Sequence, residues 1–291
     1  KIMDRTLPQI SLPGTHDSGA YWLDLGRRGP DFNDKGFDAG WFLEVLAFGS
    51  LNDENAVKNE VARDVALAHS HTLLQQLQGG IRSVDLRVTI RNNLFYVYHG
   101  LLGQPLSVVL QDIRTFLDQS EREFVVINVS HLAVGTHETT EHRAFNQIEH
   151  QRLMQLLVDY IDPYLYPRNG KSAAELVATP LNQIVNDGPK VLLIYSDEYF
   201  YKCEKGVCDF GPARGDDHFE KFWHVGAWQG GYTNTERLAD QIAGQQTSLN
   251  NYLAGSSEEG FALFQTLTVS TDFGDTVSTS AIKCRVGEHL P

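Results

Sequence analysis

The sequence predicts the α/β class, arranged as a distorted (β/α)₈ barrel of the TIM type. Three observations lead there. Short apolar runs of strand length alternate with stretches of helical periodicity. The 291 residues suit a single barrel, which typically needs about 250, plus an insert. One connection is too short for a parallel crossover, so a β-hairpin must be built into the sheet after the second strand. Hydrophobic residues make up 42% of the chain, enough for a large core and against global disorder. Residues 1–291 are therefore read as one domain.

Taken in order, residues 9–13 predict the first strand, and a polar, Gly-rich insert covers about 26–59. A helix over 72–78 stops at Gly79-Gly80, a usual helix end. Residues 82–88 predict the next strand and 94–98 its neighbour. Residues 106–117 have helical periodicity, with Val109, Ile113, Phe116 and Leu117 on one side. Residues 124–129 form a continuous apolar run, as a buried parallel strand requires. A long helix is expected over 141–161, strands over 191–195 and 222–225, a helix over 235–253 and a last strand over 261–267. This gives seven strands, and residues 276–286 are the remaining candidate for an eighth.

The short connection joins Val88 to Leu94. Strands that close must be antiparallel, and the return strand brings His99 to the level of Asp85 and Arg87. Side chains alternate along a strand, so Asp85 and Arg87 share a face, as do Val97 and His99. For both sets to face the same way the loop needs an odd number of residues. The expectation is a three-residue loop, Arg91-Asn92-Asn93, with Asn93 in the left-handed region.

Charge narrows the partners. A net charge of −13 disfavours nonspecific capture by nucleic acid or an anionic membrane. A neutral or zwitterionic lipid surface stays compatible. No run of about 20 apolar residues exists to span a bilayer. The opening stretch from Lys1 is polar and does not read as a signal peptide, and the missing initiator Met suggests a mature or trimmed chain. Cys203 and Cys208 enclose Glu-Lys-Gly-Val and could close as a disulfide, which would favour a secreted or extracytoplasmic location. Cys284 is left over, and zinc lacks further ligands at suitable spacing.

Three clusters carry chemistry. The first is Leu12-Pro13-Gly14-Thr15-His16-Asp17-Ser18-Gly19, a strand ending in a turn that presents a His beside an Asp. Neighbours on an extended chain point apart, so these two need not pair. The second is residues 80–88, where Asp85 and Arg87 interrupt an apolar strand. Buried charges are costly unless paired or functional. The third is Tyr96-Val97-Tyr98-His99-Gly100, where the glycine permits a sharp turn and close approach of a ligand. Each alone could be structural: a polar turn, a buried salt bridge, a strand-end His.

Together the clusters resemble the phosphatidylinositol-specific phospholipase C X-domain superfamily, most closely its bacterial-type and X-domain-only members. The motifs that carry the resemblance are Pro13-Gly14-Thr15-His16-Asp17-Ser18, residues 80–87 ending in Asp85-Leu86-Arg87, and Val97-Tyr98-His99-Gly100. Trp228, Asn234-Thr235 and Phe264-Gln265 also look like later segments of that family. The resemblance implies a phosphodiesterase that releases diacylglycerol and a cyclic inositol phosphate. His16 would be the general base toward a substrate hydroxyl and His99 the general acid toward the leaving oxygen, tasks that imidazoles suit near pH 7. Arg87 would clamp the phosphate. Asp17 would orient and charge His99. Asp85 would hold Arg87 or a substrate hydroxyl. The bacterial relatives pair the base with an Asp near the last strand, for which Asp197, Asp272 and Asp275 are candidates here.

Metal use turns on Arg87. The eukaryotic relatives hold Ca²⁺ with an Asn after the first His and carboxylates on the second strand. Asp17 and Asp85 could serve as ligands here, but a guanidinium cannot coordinate a metal. A metal-free site is the expectation, with Ca²⁺ at Asp17 and Asp85 as the alternative. Further substrate contacts are expected from His131 and Asp197 at strand ends and from Trp228 and Tyr232 against a sugar ring or lipid. His69 and His71 read as structural or surface residues. The substrate would be a phospholipid or inositol phosphodiester met transiently at a membrane by a monomer. Two alternatives are a metal-dependent glycerophosphodiesterase and a non-catalytic barrel that binds phosphoinositides or polyols.

Overall fold

A computed structural model describes residues 2–28, 30, 66–135, 143–204, 207–224, 228–229, 238–254 and 260–261. By their contacts the residues form two units, Lys1–Val225 and Gly226–Pro291. The first holds a mixed sheet of nine strands: β1 (Gly14–Thr15), β2 (Asp24–Arg28), β3 (Ser83–Arg91), β4 (Leu94–His99), β5 (Leu101–Pro105), β6 (Phe124–Val134), β7 (Arg143–Ala144), β8 (Lys190–Ser196) and, after the separate β9–β10 hairpin (Tyr201–Glu204 and Val207–Phe210), β11 (Trp223–His224). The spatial order β11-β8-β6-β3-β4-β5-β2 runs parallel from β11 to β3 and antiparallel from β3 to β2. In the second unit β12 (Trp228–Gln229) pairs in parallel with β13 (Gly260–Phe261), and a helix spans Leu238–Ala254. The fold is therefore mixed α/β.

The two faces of the sheet follow from side-chain alternation. In β3 the residues Val84, Leu86 and Val88 are buried, while Asp85 and Arg87 on the other face are half-buried. The apolar face packs with helices α1 (Leu73–Gln78), α2 (Leu106–Asp118) and α3 (Gln147–Ile161) in one continuous core. In α2 the buried residues are Leu106, Val109, Leu110, Ile113, Phe116 and Leu117, the stripe that a period of 3.6 demands. Thr72 caps α1 by accepting from the Gln75 N–H.

Several boundaries differ from the sequence expectation, each for a local reason. Residues 9–13 form no strand: Leu7–Gln9 is a 3₁₀ turn, and pairing begins at Pro13, whose carbonyl accepts from the Arg82 and Ser83 N–H groups. A proline has no N–H to give to a ladder. The helix expected from 141 starts at Gln147, because Asn146 and Glu149 form a reciprocal capping box. Arg143 and Ala144, upstream of that cap, pair with β6 instead. The rest of the strand expected over 261–267, the candidate strand at 276–286 and most of the polar 26–59 insert lie outside the described residues.

The hairpin corrects the loop expectation. Arg91 pairs with Leu94, so the connection is the two-residue turn Asn92-Asn93, and both residues have positive φ (49° and 65°). That is the backbone of a type I′ turn, whose twist matches the strands it joins. Val88 then faces with Val97, so strict alternation puts His99 on the apolar face, away from Asp85 and Arg87. His99 nevertheless reaches the polar side. The β3–β4 ladder ends at Val88–Val97, and β4 continues against β5 through an irregularity between Tyr96 and Tyr98. The first half of β3 pairs instead with β1 on that edge.

Candidate active site

The segment carrying His16 and Asp17 sits where β4 leaves β3. Gly14 and Thr15 pair with Ser83 and Val84, and Ser18 N–H then donates to the Asp85 carbonyl. A Cβ on Gly19 would lie 2.9 Å from three carbon atoms of Val97, so only glycine lets this turn settle on β4. Asp17 adopts φ +48°, a left-handed conformation that Asp tolerates better than most residues. Because the chain is not extended there, His16 and Asp17 do not point apart. Asp17 Oδ2 lies 3.2 Å from His16 Nε2.

Asp17 is the hub of the cluster. Its side chain is buried. Oδ2 also lies 3.3 Å from His99 Nε2, and Oδ1 forms an ion pair with Arg87 Nε at 2.6 Å. One carboxylate thus touches both imidazoles and the guanidinium. Arg87 Nη2 in turn lies 3.0 Å from His16 Nε2.

Asp85 supplies the carboxylate partner of His16. Its Oδ2 is 3.0 Å from His16 Nδ1 and accepts from the Asp17 backbone N–H at 3.3 Å. Its Oδ1 accepts from Asn128 Nδ2 at 3.3 Å and Ser130 Oγ at 3.2 Å. Burial pushes the Asp85 carboxyl up. The hydrogen bond and charge of His16, Arg87 and the Asp17 N–H outweigh it and hold the group down at about 2. An ionised Asp85 can only accept, so His16 Nδ1 carries a proton and Nε2 is the nitrogen that titrates. Burial works to lower the His16 pKa. The Asp85 hydrogen bond and the charges of Asp17 and Asp85 outweigh it and the opposing Arg87, and the net direction is upward.

His99 is oriented differently. Its Nδ1 lies 2.6 Å from the Ala66 carbonyl, which can only accept, so Nδ1 is protonated and Nε2 again faces Asp17. Gly100, with φ +67°, turns the chain between His99 and Leu101. His69 joins the cluster as support: its Nε2 donates to the His16 carbonyl at 2.6 Å, and burial first of all lowers its pKa. The sequence reading had set His69 aside as structural or surface, and its spacing gave no sign of this contact.

The remaining sequence candidates scatter. His131 does not end its strand: it is exposed within β6, at the irregularity in the β3–β6 pairing between Ser130 and Ala133, with φ +51°. Its carbonyl accepts from Tyr98 Oη at 2.7 Å, and its Nδ1 is 2.9 Å from Ser130 Oγ. Ser130 thereby links it to Asp85. Asp197 is not the partner of His16. It accepts from the Tyr199 N–H and lies 3.6 Å from Nε2 of the buried His150. Its carboxyl is pushed up, mainly by burial. Trp228 belongs to the second unit, and Tyr232, Asp272 and Asp275 lie outside the described residues. Cys203 and Cys208 are direct Cα partners across the β9–β10 ladder. Ser196, expected at a strand end as a contact for polyol hydroxyls, donates to Asn128, and Asn128 is the site residue that the sequence reading does not single out. The signal was present: one Asn interrupts the apolar run from Phe124 to Val129.

His16, Asp17 and Asp85 bring one ligand atom each within 4.8 Å of one another, the outline of a cation site. Their donors do not fit Ca²⁺, which takes six to eight oxygens. Arg87 already sets a cation against Asp17 Oδ1 and His16 Nε2, and both Asp85 oxygens accept hydrogen bonds from the protein. No mechanistic step is routed through a metal.

The described residues thus form a mixed α/β fold that carries a cluster of two imidazoles, two carboxylates and a guanidinium. No family profile matches the chain. The human PI-PLC X domain-containing protein 2 is 30% identical over 129 residues, covering 43% of this chain and 38% of that protein. The zebrafish PI-PLC X domain-containing protein 3 is 26% identical over 159 residues, covering 52% and 42%. The matches thus span less than half the length of these relatives. Among solved structures, the phosphatidylinositol-specific phospholipase C from Listeria monocytogenes superposes with a TM-score of 0.58 at 19% identity, over 98% of this chain and 83% of that one. The F249X mutant of the Staphylococcus aureus enzyme gives 0.58 at 15% identity, over 98% and 83%. These structures share the fold. The chain is thus similar in sequence to PI-PLC X domain-containing proteins over about half of its length and in fold to the bacterial phosphatidylinositol-specific phospholipases C.

Proposed function

We propose that the protein is a phosphodiesterase that cleaves phosphatidylinositol-type lipids to diacylglycerol and a cyclic inositol phosphate. The observation that carries this reading is the single Asp17 carboxylate set between Nε2 of His16 and Nε2 of His99, with Arg87 on its other oxygen. Neutral His16 takes the proton from a substrate hydroxyl through Nε2. The hydroxyl oxygen forms a bond to phosphorus. The bond from phosphorus to the glycerol oxygen breaks, and protonated His99 delivers its Nε2 proton to that oxygen. Arg87 exchanges its contact with His16 for the phosphate, whose negative charge grows in the transition state. Asp17 stabilises whichever imidazole carries the extra proton.

We read the reaction as metal-independent, because the guanidinium fills the place a cation would take. We further read residues 1–291 as one catalytic domain in which the sheet belongs to a closed (β/α)₈ barrel. The protein would act as a monomer meeting the membrane transiently, with His131 near the head group. Direct cross-strand pairing of Cys203 and Cys208 suits a disulfide and an extracytoplasmic setting. Among the described residues no helix is long and apolar enough to cross a membrane.

The test compares wild type and His16→Ala on phosphatidylinositol vesicles, with EGTA and with added Ca²⁺. The expected result is release of inositol phosphate by wild type equally in both, and a loss of ~10²–10⁴-fold in the variant. Equal release by wild type and variant contradicts catalysis by this site. No release by either contradicts cleavage of phosphatidylinositol-type lipids. A strict Ca²⁺ requirement contradicts the metal-free reading.

A further inference from the structure

A polar ladder crosses three neighbouring strands beneath His16. Asp85 on β3 is the register partner of Asn128 on β6, and Ser130 on β6 is the partner of Ser196 on β8. Alternation turns Asp85, Asn128, Ser130 and Ser196 to the same face. Ser196 Oγ donates to Asn128 Oδ1 at 2.5 Å, and Asn128 Nδ2 donates to Asp85 Oδ1 at 3.3 Å. A carboxamide has one accepting and one donating end. The ionised Asp85 can only accept, so Asn128 turns Nδ2 to it and Oδ1 to Ser196, whose hydroxyl then donates. Were the amide reversed, its oxygen would oppose a carboxylate oxygen.

The consequence reaches His16. Asp85 Oδ1 is occupied by donors from β6, which leaves Oδ2 for His16 Nδ1 and the Asp17 N–H. That geometry keeps the proton on Nδ1 and the lone pair on Nε2, the nitrogen beside Arg87 and Asp17. We propose that Asn128, braced by the Ser196 hydroxyl, is a positioning residue that holds Asp85 in the orientation that fixes the tautomer of His16. Its role in turnover rests on the phosphodiesterase reading, but its effect on the imidazole does not.

The experiment uses the full chain labelled with ¹⁵N-histidine. Nitrogen chemical shifts report which ring nitrogen of His16 carries the proton, and His16→Ala assigns the signal. Wild type is expected to show His16 protonated at Nδ1 alone. Asn128→Ala is expected to show a mixture of tautomers, a kcat about tenfold lower on phosphatidylinositol vesicles and an unchanged KM, by analogy with residues that orient a ligand from behind. Ser196→Ala is expected to fall between, and Ser196→Thr, which keeps the hydroxyl, to behave as wild type. A pure Nδ1–H tautomer and wild-type kcat in Asn128→Ala, with only a lower melting temperature, would overturn the proposal. If wild type has no activity but the tautomer still responds to Asn128→Ala, the phosphodiesterase reading fails and the positioning role stands.

Discussion

The two halves of the candidate site are held by different means. The His16 half is wired into the sheet by side chains: Asp85 holds the ring, and Asn128 and Ser130 on the next strand hold Asp85. The His99 half rests on the main chain. Its ring donates to the Ala66 carbonyl, and its strand has already left β3. Asp17 is the one side chain common to both. The difference teaches where rigidity and freedom lie. His16 lies in the turn after β1 and is braced by side chains of β3 and β6, whereas His99 ends β4 beside the turn at Gly100.

The comparison can be broken by substitution, and the largest effects fall on the His16 half. Asp85→Asn presents an amide to Nδ1 and permits the reversed tautomer, so kcat should fall by up to ~10⁴-fold, as when a triad aspartate becomes asparagine. On the vesicle assay the expected loss equals that of His16→Ala. If Asp85→Asn keeps more than a tenth of wild-type kcat, the side-chain wiring has no catalytic meaning. Arg87 faces both halves through Asp17 and His16. Arg87→Lys keeps the charge but loses the planar fork, and a drop in kcat of ~10²-fold is expected. A drop confined to KM would instead mean that Arg87 binds the ground state only.

The pH profile sharpens the same comparison. As a base His16 must be neutral, so activity falls as pH drops through its pKa. The Asp85 hydrogen bond and neighbouring charge raise that pKa above 6.5 despite burial. The acid limb of kcat/KM should therefore lie above 6.5. A limb below that value places the base elsewhere. The smallest effect belongs to the His99 half. Gly100 has φ +67°, with nothing within 4 Å of an added Cβ, so Gly100→Ala meets backbone strain without a clash. Urea unfolding should show a loss of about 1–2 kcal/mol. No loss would mean that the turn relaxes easily and does not set the position of His99.

Much of this was legible in the residues, because patterning and chemistry agreed. The alternation of Val84, Leu86 and Val88 with Asp85 and Arg87 marked both the strand and its functional face, and the stripe from Val109 to Leu117 marked α2. The motifs at His16 and His99 were visible for the same reason: ionisable groups beside glycines at strand ends. What failed were inferences about geometry at irregular points. Turn length was argued from the need to put His99 beside Asp85, when β4 simply departs from β3 after Val97. His16 and Asp17 were expected to diverge, because an extended chain was assumed where Asp17 has φ +48°. Asp197 is a candidate partner of His16 by sequence, yet it faces Tyr199 and His150, and the described carboxylate contact comes from Asp85, while Asp272 and Asp275 lie outside the described residues. Asn128 was absorbed into an apolar run, since a single polar residue inside a strand does not reveal which face it takes until the register is known.

The central claim is that a substrate hydroxyl attacks phosphorus under the control of His16 and His99. Phosphorus NMR of phosphatidylinositol vesicles treated with the protein in EGTA tests it most directly, because a five-membered cyclic phosphodiester resonates well apart from open-chain phosphates. The account predicts that the cyclic inositol phosphate forms first and that any linear monophosphate follows from it. A linear phosphate as the first product, or no phosphorus product at all without Ca²⁺, would contradict it.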